Sequence, residues 1–257
     1  MLTLLRQMST LFWQLVRLDI RTRYFNSRLG LLLVVAQPLA LLMIYSWVFG
    51  DLMQLKHSQS EYFSEYLLAG LIVFNALIEV LNRAPSLIPE RRELLLNTPL
   101  PVFIIPWIPV ASSLVLETIS VLMLLVWMST QGFNPFIALV FYLPWLLIRL
   151  LWSSAGAMLL SVLGVVIPDL RQVISPLMGI LLLISPIFYR LEQVPTPWQS
   201  TLNWNPLTHL VQGYQQALVL GQFNVLQWSK VLIASIIVWV VCWLMAQSLL
   251  PKVRYLL

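Results

Sequence analysis

Long apolar runs separated by short polar joints set the pattern of this chain. Leu29 to Met53 is almost uncharged and is long enough to cross a bilayer as a helix at ~1.5 Å per residue. Further apolar runs follow at about 62–81, 102–128, 136–167, 173–188 and 228–250. The pattern predicts an all-α membrane protein with six transmembrane helices. Pro38 lies inside the first run, Pro106 and Pro109 at the start of the third, and Pro144 in the fourth. Packed neighbours in a membrane tolerate the kinks such residues make.

Ahead of the first run, Leu4, Met8, Leu11, Leu15 and Leu18 recur at three- and four-residue steps. Arg6, Thr10, Gln14, Arg17 and Arg21 form a second stripe at the same spacing. This predicts an amphipathic helix lying on the inner membrane face. Residues 1–28 are thus read as a cytoplasmic interface segment, 29–250 as the transmembrane domain and 251–257 as a cytoplasmic tail. Between the fifth and sixth runs, Thr196-Pro197 and Asn205-Pro206 are each read as a cap residue with proline at the first helical position. Leu207, Leu210, Val211, Tyr214 and Leu218 share one face of the second short helix. Neither helix is long enough to span. They either dip into the membrane as a re-entrant hairpin or lie on its surface.

Charge fixes the direction of threading. With the N-terminus inside, Arg6, Arg17, Arg21, Arg23, Arg28, Arg83, Arg91, Arg92, Arg171, Lys252 and Arg254 fall on the inner side. Lys56, Arg190 and Lys230 fall outside, and Arg149 lies within a run. This asymmetry predicts both termini in the cytoplasm. Composition agrees with a membrane chain: 60% of the 257 residues are hydrophobic and 10% are charged. The net charge of +5 is spread over helix ends rather than gathered in a patch, which argues against nucleic acid. Basic residues interrupt any apolar core at the N-terminus, so no signal peptide is expected there. The single cysteine, Cys242, excludes an intrachain disulfide. His57 and His209 are too few to build a metal site.

Glu79, Glu117 and Arg149 are the ionisable groups placed within the runs. A charge in hydrocarbon normally faces a partner or a water-filled path. Glu117 and Arg149 can pair with each other or line a polar path, while Glu79 can reach the inner interface. Trp107, Trp127, Trp145, Trp198, Trp204 and Trp228 are read as interfacial belt residues, and Trp152 and Trp239 as packing between helices. No G-x-x-x-x-G-K-[ST] phosphate loop occurs, so this chain lacks the usual ATP site. An embedded enzyme such as a transferase would need carboxylates, His or Cys gathered at one depth, whereas Glu79, Glu117 and Asp169 are scattered.

Several segments, in order, resemble the permeases of ABC-2 type polysaccharide exporters, with the capsular branch nearest and the O-antigen branch beside it. They are Arg21-Thr-Arg-Tyr24, Arg28-Leu-Gly30, Pro38, Leu68-Ala-Gly-Leu71 with Asn75, Asn82-Arg83, and Trp204-Asn-Pro-Leu207 with His209. Leu33 departs from a frequent tryptophan, and Val73-Phe74 from a common Pro-aromatic pair. The resemblance implies a homodimer in the bacterial inner membrane, bound by two copies of a separate ABC ATPase that carries ATP-Mg. It implies export of a polysaccharide linked to a lipid, with no cofactor in this chain. It also implies that the loop from Arg83 to Pro99 meets the ATPase, with Arg83, Glu90, Arg91, Arg92 and Glu93 as contacts, and that Thr196, Pro197, Trp204, Asn205, Pro206 and His209 belong to an outer helix pair. Export of a small drug or lipid by the same fold is the alternative.

Overall fold

A computed structural model describes residues 2–22, 36, 39–41, 43–44, 47–48, 62–97, 101–191 and 194–256. All elements among them are helical. The predicted first span, 29–53, lies almost wholly outside the described residues.

Helix α1 runs Leu2–Ile20, and α2 runs Phe63–Arg83. A 3-10 turn at Ala84–Ser86 leads into two short helices, α3 (Leu87–Glu90) and α4 (Arg92–Asn97). Then come α5 (Trp107–Thr130), α6 (Pro135–Val166), α7 (Leu170–Ile184), α8 (Thr196–Asn203), α9 (Pro206–Gln215) and α10 (Val225–Leu256). Among the described residues, four stretches are long and apolar enough to cross a membrane: Phe63–Glu90, Val102–Thr130, Pro135–Val166 and Val225–Pro251.

Local chemistry sets most boundaries. Gly132 takes a φ of 87°, which a side chain would oppose, and so closes the turn between α5 and α6. The Asn134 side chain accepts from the Phe136 N–H at 3.0 Å, and Pro135 opens α6. Helix α7 has 15 residues, about 22 Å at ~1.5 Å per residue, and stops early. Its end follows from Pro186, which forces Ser185 into extended backbone with ψ 139°. The predicted range 173–188 therefore shifts to Leu170–Ile184.

The two short helices behave differently. Asn205 caps α9 through a 3.0 Å bond from the Leu207 N–H, as the sequence suggests. Thr196 does not cap α8: Pro195, with extended ψ of 139°, is the boundary residue, and Thr196 already lies in the helix without a capping bond. No residue of α8 is buried. In contrast, Leu207, Leu210, Val211 and Tyr214 of α9 are all buried, as is Leu218 in the π-helical turn Gln216–Leu220 that follows, so α9 is built into the core against α2 and α6.

The main core gathers Val73, Leu124, Trp145, Ile148 and Tyr214 where α2, α5, α6 and α9 meet. Close approach of α9 to α6 depends on Gly213, because a Cβ there would run into the Trp145 ring. Trp145 is thus a core residue rather than a belt residue. A second cluster sits at the far end of α2 and joins Ala84, Leu87, Ile88, Met158, Val162, Ala246 and Val253. Leu11 and Leu15 of α1 pack on that cluster together with Leu94 and Leu95. The packed side of α1 runs through Leu11, Leu15, Val16 and Asp19, whereas Leu18, expected on the apolar stripe, is exposed. Four-residue steps from Leu11 lead to Asp19, not Leu18.

Candidate functional site

Polar side chains gather at three levels along the antiparallel pair α2 and α5. At the start of α2, buried Glu65 accepts from Trp127 Nε1 at 2.9 Å and from Gln131 Nε2 at 3.1 Å. Trp127 and Gln131 lie at the last turn of α5, so this carboxylate ties the two helix ends together.

The middle level is the candidate site inside the apolar bundle. Tyr142, Trp145, Arg149 and Ser153 follow one another at three- and four-residue steps, which puts them on one face of α6. Ser113 and Glu117 stand one turn apart on α5. Arg149 Nε lies 3.1 Å from Glu117 Oε2, with both side chains fully buried. The angle of this approach falls outside hydrogen-bond geometry, so it is an ion pair by distance. Arg149 Nη2 donates to Ser113 Oγ at 2.7 Å and to the Ala76 carbonyl at 3.3 Å. The Tyr214 hydroxyl donates to Glu117 Oε1 in a short hydrogen bond. Tyr142 meets the Tyr214 ring edge to face, with centroids 5.3 Å apart. The cluster therefore links α2, α5, α6 and α9 through one buried charge pair. Arg149 Nη1 and the Tyr142 hydroxyl are buried there without hydrogen-bond partners. Glu79 is half-buried on α2.

At the third level, Asp19 of α1 receives Arg83 with both nitrogens, Nη1 to Oδ2 at 3.1 Å and Nη2 to Oδ1 at 2.5 Å. Ser112 Oγ adds a bond to Oδ2 at 2.8 Å, and Arg91 Nη2 lies 3.6 Å from Oδ1. Among the loop residues singled out from the sequence, Arg83 and Arg91 thus turn towards Asp19. Glu90, Arg92 and Glu93 are exposed, with Leu96 beside them.

The pair of short helices, α8 and α9, is held by local bonds. His209 Nε2 is 2.9 Å from the Asn203 carbonyl, and Thr208 Oγ1 donates to the Leu202 carbonyl at 2.8 Å. Asn205 Nδ2 donates to Ser185 Oγ at 3.4 Å, while Trp204 is 88% exposed. Pro197 and Pro206 lie in the opening turns of α8 and α9. Trp152 donates to Ser235 at 2.9 Å and Trp239 to Ser154 at 3.0 Å, a reciprocal pair that joins α6 to α10. Among the described residues, no group of three His, Cys, Asp or Glu side chains could hold a metal.

The sequence reading does not single out Asp19 or Glu65: Asp19 lies in the segment read as interfacial, and Glu65 at the start of the apolar run 62–81. The signal for Asp19 was its place on the packed stripe of α1, in register with Leu11 and Leu15.

A family model described as ABC-2 type transporter matches residues 10–219. The chain is 31% identical over 212 residues, 80% of each protein, to the polysialic acid transport protein KpsM of Escherichia coli. It is 24% identical over 244 residues to the O-antigen export system permease protein RfbA of Klebsiella pneumoniae, covering 92% of this chain and 89% of that one. The RfbA permease of Myxococcus xanthus is 25% identical over 213 residues, 82% of this chain and 81% of its own.

Proposed function

We propose, from the premise that the chain belongs to the ABC-2 type transporter family, that it is the permease subunit of an exporter of a cell-surface polysaccharide. The observation that carries this reading is similarity over four fifths or more of the chain to proteins named for polysialic acid transport and O-antigen export. The fold agrees. It supplies apolar helices for a multi-pass membrane protein, with Glu117 held by Arg149 and Tyr214 inside the bundle. The chain is a transport subunit, not an enzyme.

The finer reading follows the sequence. Six spans, with 29–53 as the first and Leu170–Ile184 as the short fifth, bring both termini to the cytoplasm. Two copies of the permease join two copies of an ATPase that binds ATP-Mg, and the polymer travels linked to a lipid. The exposed face of Glu90, Arg92, Glu93 and Leu96 is the ATPase contact, because it offers both signs of charge and an apolar side chain on one short segment. Arg83 and Arg91 stand behind that face and position it. The test is a chromosomal deletion of the permease. Polymer is expected to accumulate inside the cell and to return to the surface when the chain is supplied in trans. Unchanged surface polymer in the deletion strain would rule the function out.

A further inference from the structure

We propose that Asp19 is a positioning residue that locks α1 to the loop between α2 and α5, so that helix and loop move as one body when the loop is pushed. The consequence for transport rests on the exporter reading, but the lock itself does not. Asp19 occupies the second-to-last position of α1 and its side chain is 4% exposed. A carboxylate there is costly because it is removed from water. Compensating groups come from three other places: Arg83 at the end of α2, Arg91 between α3 and α4, and Ser112 on α5. Both carboxylate oxygens are engaged, and the bidentate fork from Arg83 fixes direction as well as distance. A buried ionic contact of this kind contributes more to register than to net stability.

The packing around it works in the same sense. Leu11 and Leu15 rest on the cluster that contains Leu87 and Ile88, with Leu94 and Leu95 also against it. Within the loop, Arg91 reaches in to Asp19, while the neighbouring Arg92 is exposed. A force on the exposed face therefore reaches α1 through a segment only a few residues long.

Trp13 and Asn97 are exposed, so spin labels at Trp13→Cys and Asn97→Cys report the two bodies without entering the lock or the proposed ATPase contact. The measurement is the distance distribution between them in nanodiscs, in a Cys242→Ser background, for the permease alone and for its ATPase complex with and without ATP-vanadate. A narrow distribution that ATP-vanadate does not shift is expected for the otherwise unaltered chain. Asp19→Asn is expected to broaden it, and Asp19→Glu to restore it in part. Asp19→Asn should also lower surface polymer per inserted permease by about tenfold or more, while ATP hydrolysis by the purified complex stays nearly unchanged. A merely structural defect would instead lower both in proportion. A distance that shifts with ATP-vanadate in the unaltered chain, or an equally narrow distribution in Asp19→Asn, would overturn the lock. If Asp19→Asn does not insert, Ser112→Ala removes one bond to Asp19 and should broaden the distribution by a smaller amount; no broadening overturns the lock. The permease-alone distribution separates the two readings, since it tests the lock whether or not an ATPase or a polymer is ever bound.

Discussion

Replacing Arg149 with leucine removes the cation that pairs with Glu117 among the described residues. Arg149 makes one ion pair at 3.1 Å and two hydrogen bonds through Nη2, at 2.7 and 3.3 Å. After Arg149→Leu, Glu117 keeps the Tyr214 hydroxyl but stays fully buried without a counter-charge. Breaking a buried pair from one side costs roughly 3–5 kcal/mol, because the stranded charge keeps its desolvation penalty. That is about two to three and a half decades in the folding equilibrium, at ~1.4 kcal/mol per decade. Arg149→Leu with Glu117→Leu leaves no stranded charge and is expected to recover most of the loss. Arg149→Lys keeps the charge but not the two-bond fork, and should fall between them. Unfolding in mixed micelles with rising dodecyl sulfate, followed by tryptophan fluorescence, measures all four proteins. If the double variant is as unstable as Arg149→Leu, the pair does not carry the stability assigned to it. If Arg149→Leu is fully stable yet exports no polymer, the pair lines the substrate path instead.

Two further outcomes are expected. In a Cys242→Ser background, Arg92→Cys should resist an impermeant thiol reagent on intact cells while Gln222→Cys reacts; the reverse pattern would overturn the threading. Gly213→Ala should destabilise the bundle by about 1–3 kcal/mol, because its Cβ would press on the buried Trp145 ring. Unchanged thermal stability of the purified variant would show that α9 can move away from α6.

Periodicity made the long helices legible. The apolar runs at 102–128, 136–167 and 228–250 correspond to α5, α6 and α10 because apolar length alone marks such segments. The Asn205 cap could be read because its side chain and the following proline act within three residues. Glu117 and Arg149 could be suggested as partners because a charge inside an apolar run needs one. Other features depend on contacts that no local pattern contains. Tyr214 sits on an apolar helix face, and its bond to Glu117 follows only once α9 is inserted beside α5 and α6. Arg91 and Arg92 are indistinguishable as letters. Which one turns inward is decided by Asp19, far away in sequence. Asp19 itself was hidden because a charge at the end of an amphipathic helix reads as solvated unless its register with the packed leucines is followed.

A separate ATPase that grips the exposed loop face is the proposed drive of this permease. This drive is tested most directly by co-purification of the tagged permease from cells that make both proteins, unaltered and as Arg92→Glu with Glu93→Lys. Reversing both signs turns contacts that set encounter and register into repulsion. Neither residue is buried, so insertion should be normal. The expected result is an ATPase retained by the unaltered permease and lost from the variant, with polymer held inside the cell in the variant alone. An unaltered permease that exports polymer while retaining no ATPase would contradict it.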